Sequence, residues 1–81
     1  MNLPIGSTLP KLGFKTKELK HLLLTENLDI NQIAKKMDLS LSRTKYYLNS
    51  LYKAYGVKNK YGLVFKEYQF YKNAYDYEVK K

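Results

Sequence analysis

Apolar residues recur at helical spacing in four blocks along the chain. Leu19, Leu22 and Leu23 fall at i, i+3 and i+4, the repeat of one helix face. They predict a first helix from about Lys17 to Glu26, with Thr16 as N-cap, Glu18 near the positive dipole end, and Lys17, Lys20 and His21 on the wet side. Ile30, Ile33, Ala34 and Met37 repeat the pattern in a second helix, from about Ile30 to Met37, after a turn at Asn27-Leu28-Asp29. Asp29 followed three residues later by Gln32 resembles a capping box. Ala34 is small, as a close helix crossing requires. Thr44, Tyr47, Leu48, Leu51 and Tyr55 share one broad stripe of a third helix, which starts after Ser40 or Leu41 and runs to about Tyr55. Leu48 and Leu51 are its expected core residues, and Ser40 and Ser42 are both cap candidates. Gly56 supplies the left-handed residue a C-cap favours, and Val57 follows as an apolar plug. A fourth helix, about 59–77, carries Tyr61, Val64, Tyr68, Tyr71 and Tyr75 on one ridge, with Phe65 beside it, and Leu63, Phe70, Ala74 and Tyr77 on another.

Pro4, Gly6, Pro10 and Gly13 punctuate residues 1–13, which read as an irregular arm. Leu3, Ile5, Leu9 or Leu12 are expected to pack it on the domain. Lys11 is the arm's one charged side chain, which argues against a reach into a DNA groove. Residues 14–81 then form one domain. The expected fold is all-α: a four-helix helix-turn-helix domain with an extended C-terminal helix. The motif lies between Gln32 and Leu48, where a short amphipathic helix, the turn Asp38-Leu39-Ser40 and a helix opening on Ser42, Arg43, Thr44 and Lys45 follow one another.

Charge adds a partner to this picture. The chain of 81 residues carries a net charge of +8, which favours a polyanion: nucleic acid first, an anionic surface second. Only one basic residue is an arginine, while lysine and tyrosine are abundant, as an AT-rich coding sequence also produces. No cysteine is present, so disulfides, thiolate zinc sites and thiol catalysis are excluded. His21 alone cannot build a metal site. No Ser/His/Asp set, carboxylate pair or phosphate-binding glycine loop appears, and the expectation is a protein that is not an enzyme and has no cofactor. No apolar run is long enough to span a membrane and no signal-peptide pattern opens the chain. A cytoplasmic, nucleoid-associated protein is expected.

From Leu39 to Leu63 the chain aligns without a gap on the LuxR/GerE-type helix-turn-helix of bacterial regulators, which it resembles. Asn31-Gln32-Ile33-Ala34 is similar to that family's Lys-Glu-Ile-Ala, Leu39-Ser40 to its Ile-Ser, and Gly56-Val57-Lys58-Asn59-Lys60 to its Gly-Val-x-Asn-Arg. Lys45 falls on the family's Lys/Arg. The resemblance covers about residues 15 to 68. The chain departs from the family pattern at Arg43-Thr44, at Tyr47 and at Ala54-Tyr55. The likeness implies a small stand-alone transcriptional regulator that binds double-stranded DNA as a homodimer through its fourth helix. Region four of sigma factors resembles helices two and three nearly as well but lacks the Gly-Val-x-Asn-Lys exit.

Within that reading each residue has a candidate role. Arg43, in the first turn of the third helix, is the first choice for bidentate readout of guanine O6 and N7, with a phosphate contact or a surface position as the alternatives. Lys45 and Tyr46 come next; Tyr47, which shares a stripe with Leu48 and Leu51, is read first as packing and second as a DNA contact. Ser42 and Thr44 offer hydroxyls to phosphate or base unless they cap or pack, and Asn49 lies one turn beyond Lys45. Lys35, Lys36, Lys53, Lys58 and Lys60 are phosphate candidates; the last two sit at the start of the fourth helix, where the dipole favours an anion. Tyr61, Val64, Phe65, Tyr68, Tyr71 and Tyr75 are the expected dimer interface, since tyrosine combines a large apolar ring with a polar tip. Stacking on single-stranded bases is a lesser use of these rings. The competing function is an adaptor that binds RNA polymerase or another regulator through the same aromatics. Mixed charge on the fourth helix argues against membrane-surface binding.

Overall fold

A computed structural model describes the backbone of residues 9–79 and the side chains of residues 9–72. Four helices follow in order: α1 (Phe14–Leu24), α2 (Ile30–Met37), α3 (Leu41–Tyr55) and α4 (Lys60–Val79). No strand occurs among the described residues, and the fold is all-helical. The expected packing of Leu3 and Ile5 lies outside the described residues, as do the side chains of Ala74, Tyr75 and Tyr77. Leu9 and Leu12 do pack against the core.

Helix α1 starts a turn earlier than its leucine spacing predicts. Gly13, in extended conformation, occupies the cap position with no side-chain hydrogen bond, and its carbonyl accepts from the Lys17 N–H at 2.9 Å. Thr16 is therefore inside the helix rather than its cap. Helix α2 has the predicted bounds. Asp29 Oδ1 accepts from the Gln32 N–H, and Gln32 Oε1 accepts from the Asp29 N–H, both at 2.9 Å; this reciprocal box satisfies two N–H groups that a helix start leaves unpaired. Helix α3 is capped by Ser40, whose Oγ accepts from the Arg43 N–H at 3.1 Å. Ser42 lies inside the helix and is exposed. Helix α4 follows Asn59, whose Oδ1 accepts from the Gly62 N–H at 3.0 Å.

The three turns share one device, a left-handed residue followed by an apolar one. Asn27 (φ 54°), Asp38 (φ 56°) and Gly56 (φ 69°) reverse the chain, and Leu28, Leu39 and Val57 then pack against the core. The Leu39 N–H donates to the Ala34 carbonyl and the Val57 N–H to the Tyr52 carbonyl, each at 2.9 Å. Both bonds have the Schellman span, which satisfies carbonyls at the helix end. Asn and Asp tolerate this backbone region better than other side-chain-bearing residues do.

Among the described residues, Leu19, Leu22 and Leu23 of α1, Ile33, Ala34 and Met37 of α2, Leu51 and Tyr55 of α3, and Leu63 of α4 make the core. Ile30 and Leu48, expected in this set, are only half-buried; α3 turns Leu51 and Tyr55 inward and leaves Leu48 on the flank. Gly62 lets α4 start close to the preceding turn, since a Cβ there would lie 2.9 Å from Val57 Cβ. Beyond Leu63 a polar tie joins α4 to α1 and α3. Lys20 Nζ reaches Glu67 Oε1 at 2.8 Å and donates to Tyr55 Oη at 3.3 Å. Lys20, expected on the wet side, is thus half-buried at the junction of α1, α3 and α4. The long α4 gives the molecule extents of 47 × 21 × 20 Å.

Candidate nucleic-acid interface

Helix α3 divides sharply into a core side and a solvent side. Thr44, Leu51 and Tyr55 are buried. Ser42, Tyr46, Asn49 and Lys53 succeed one another at spacings of four, three and four, and all are exposed, so they form one line along the helix. Arg43 and Lys45 flank the line on either shoulder. The helix bears Arg43, Lys45 and Lys53 and no acidic residue, so every charged side chain on it is basic. Tyr46 is 63% exposed and meets Tyr47 edge-on, with ring centroids 5.5 Å apart. Ser50 Oγ donates back to the Tyr46 carbonyl at 3.0 Å.

Thr44 is a correction. Its side chain is fully buried, and Oγ1 donates to the Ser40 carbonyl at 2.8 Å. The hydroxyl closes the first turn of α3 and has no access to a ligand. Arg43 is exposed, and its guanidinium carbon lies 5.8 Å from the Tyr47 ring centroid. The i, i+4 spacing was the available signal. Tyr47 itself packs partly on the core, in keeping with its assignment to packing.

The lysines outside α3 separate into two kinds. Lys35 and Lys58 are exposed. Lys36 is also exposed, 3.4 Å from Glu26, and His21 Nε2 stands 3.5 Å from the same carboxylate. Lys60 departs from its expected role as an open phosphate contact. It is half-buried, and its ammonium donates to Asn27 Oδ1 at 2.6 Å, tying the start of α4 to the α1–α2 turn.

A second surface lies on α4. Tyr61 is 84% exposed, Tyr68 60% and Tyr71 62%, and Val64 and Phe65 lie between them. This ridge is adjacent to the side that carries Leu63, so α4 presents one stripe to the core and another to solvent. Tyr75 continues the ridge in sequence, but its side chain lies outside the described residues. Among the described residues no helix is long and apolar enough to cross a membrane.

Three comparisons bear on kinship: no protein-family model, no curated protein and no solved structure matches the chain.

Proposed function

We propose that the protein binds double-stranded DNA sequence-specifically, as a homodimer, and acts as a cytoplasmic, nucleoid-associated transcriptional regulator. In this reading α2, the Asp38-Leu39-Ser40 turn and α3 form a helix-turn-helix, and α3 enters the major groove. The observation that carries it is the outer face of α3. Ser42, Arg43, Lys45, Tyr46, Asn49 and Lys53 project from a helix free of acidic side chains, on a chain of net charge +8. Lys35 and Lys58 are placed to add phosphate contacts, which supply affinity without sequence preference. The resemblance of Leu39–Leu63 to the LuxR/GerE-type motif supports the same assignment. The exposed ridge of α4 supplies the surface on which two copies pair.

Selection from a randomised duplex pool, followed by a salt titration, tests the proposal. The expected product is a palindrome with half-sites about 34–36 Å apart, bound with an affinity that falls steeply as salt rises. Arg43→Ala should weaken the selected complex by ~1–3 kcal/mol and relax preference at one base position. Weak, unselective binding would remove the DNA reading. The second reading then takes its place: an adaptor that engages RNA polymerase or another regulator through Tyr61, Val64, Phe65, Tyr68 and Tyr71, whose exposure does not depend on DNA.

A further inference from the structure

Arg43 stands against a prepared support. Its guanidinium carbon is 5.8 Å from the centroid of the Tyr47 ring, one helical turn further along α3. That distance is within the range where a cation is attracted to an aromatic face. The ring is itself held. Tyr47 packs partly on the core, and Tyr46 abuts it edge-on at 73°. Among the described residues no carboxylate pairs with Arg43, so the aromatic ring is its side-chain neighbour there.

The geometry matters because the two interactions of a guanidinium use different parts of it. Its charge is attracted by the face of a nearby ring, while its N–H donors form a fixed fork in the guanidinium plane. A ring contact therefore orients the group without consuming the donors that pair with guanine O6 and N7. An unsupported arginine must be immobilised on binding, at a cost of ~0.5–1.5 kcal/mol for a rotamer-rich side chain. A lysine at this position offers no such fork.

We propose that Tyr47 is a positioning residue that presents Arg43 to a guanine, and that guanine is the base specified by this pair in each half-site. The inference rests on the assignment of α3 as the DNA-contacting helix. Its two halves are read by separate measurements.

The first uses the free protein. Ring current from Tyr47 shifts the Arg43 Cδ and Nε protons upfield in nuclear magnetic resonance spectra. Tyr47→Leu abolishes the shift and Tyr47→Phe retains it. The second uses the duplex selected by the wild-type protein. Tyr47→Leu lowers affinity ~5-fold, the equivalent of ~1 kcal/mol, and reduces discrimination against adenine at the guanine position. Tyr47→Phe restores both. In an Arg43→Ala background Tyr47→Leu causes no further loss, which a general packing defect would not mimic.

Equal losses in the two backgrounds, or Arg43 shifts indifferent to Tyr47→Leu, would overturn the positioning role. Selection of a duplex in which no guanine depends on Arg43 would overturn the base assignment while leaving DNA binding intact. Failure to select any duplex, with the Arg43 shift present, would overturn the DNA reading and the guanine assignment together.

Discussion

Thr44 is a polar residue on the buried side of α3. Its hydroxyl needs a partner once buried, and the Ser40 carbonyl at 2.8 Å supplies one within the same turn. Oγ1 and the Thr44 N–H both donate to that carbonyl. Thr44→Val should therefore lower stability by about 1 kcal/mol, the typical net value of such a bond, and leave affinity for any selected duplex unchanged. Chemical denaturation and a binding isotherm on the same variant check the two halves. A loss of DNA affinity at unchanged stability would return Thr44 to the interface. Arg43 is the opposite case, an exposed residue that lies against an aromatic ring, and the same two measurements separate its binding role from a stabilising one.

The four helices differ in how firmly each is anchored. Helices α1, α2 and α3 share an apolar core, to which the described side chains of α4 add Leu63 and, beside Tyr55, the Lys20–Glu67 pair. Burial works against the Lys20 ammonium, but Glu67 and Tyr55 outweigh it and hold its pKa above the ordinary lysine value. Burial also raises the Tyr55 phenol, with Lys20 opposing. Both groups hold their proton more tightly in the folded chain than in the unfolded one. Their contribution is thus complete below about pH 10 and is lost as pH rises through the raised folded values. The thermal midpoint should be level from about pH 7 to 9 and fall from about pH 10 upward, with a smaller fall in Lys20→Met. An alkaline decline identical in Lys20→Met would exclude the ammonium as its source.

At the scale of the whole molecule, the two outer surfaces lie on different helices. Basic side chains line the outer side of α3, and exposed aromatics line α4. Helix α4 is about 30 Å long, and contiguous exposed aromatics on a small chain mark an interaction surface. Tyr68→Ala and Tyr71→Ala are each expected to weaken self-association in sedimentation equilibrium. Because both side chains are mostly exposed in the single chain, neither change should lower the unfolding midpoint of the monomer appreciably. Unaltered monomer–dimer behaviour in both variants would take α4 out of a homodimer and favour a different protein on the same ridge.

Helix number, helix order and the ends of α2 and α3 are legible in the sequence, because they depend on neighbours in the chain, whereas α1 runs Phe14–Leu24 rather than 17–26. The Asp29–Gln32 box, the Ser40 cap and the Gly56 terminator act within a few residues, and apolar spacing reports which side of a helix avoids water. Even the line Ser42, Tyr46, Asn49, Lys53 follows from helical repeat once α3 is placed. The first helix was misjudged by a turn because Gly13 leaves no side-chain signal where Thr16 offers a false one. Contacts between distant segments were not legible. Lys20 finds Glu67 and Tyr55, and Lys60 finds Asn27, only after the helices pack. No periodicity distinguishes a solvated lysine from one drawn to a carboxylate across a crossing. The same holds for α4, whose pattern contains two apolar stripes. Local spacing makes both possible core faces, and packing on the first three helices buries Leu63 and leaves Tyr61, Tyr68 and Tyr71 exposed.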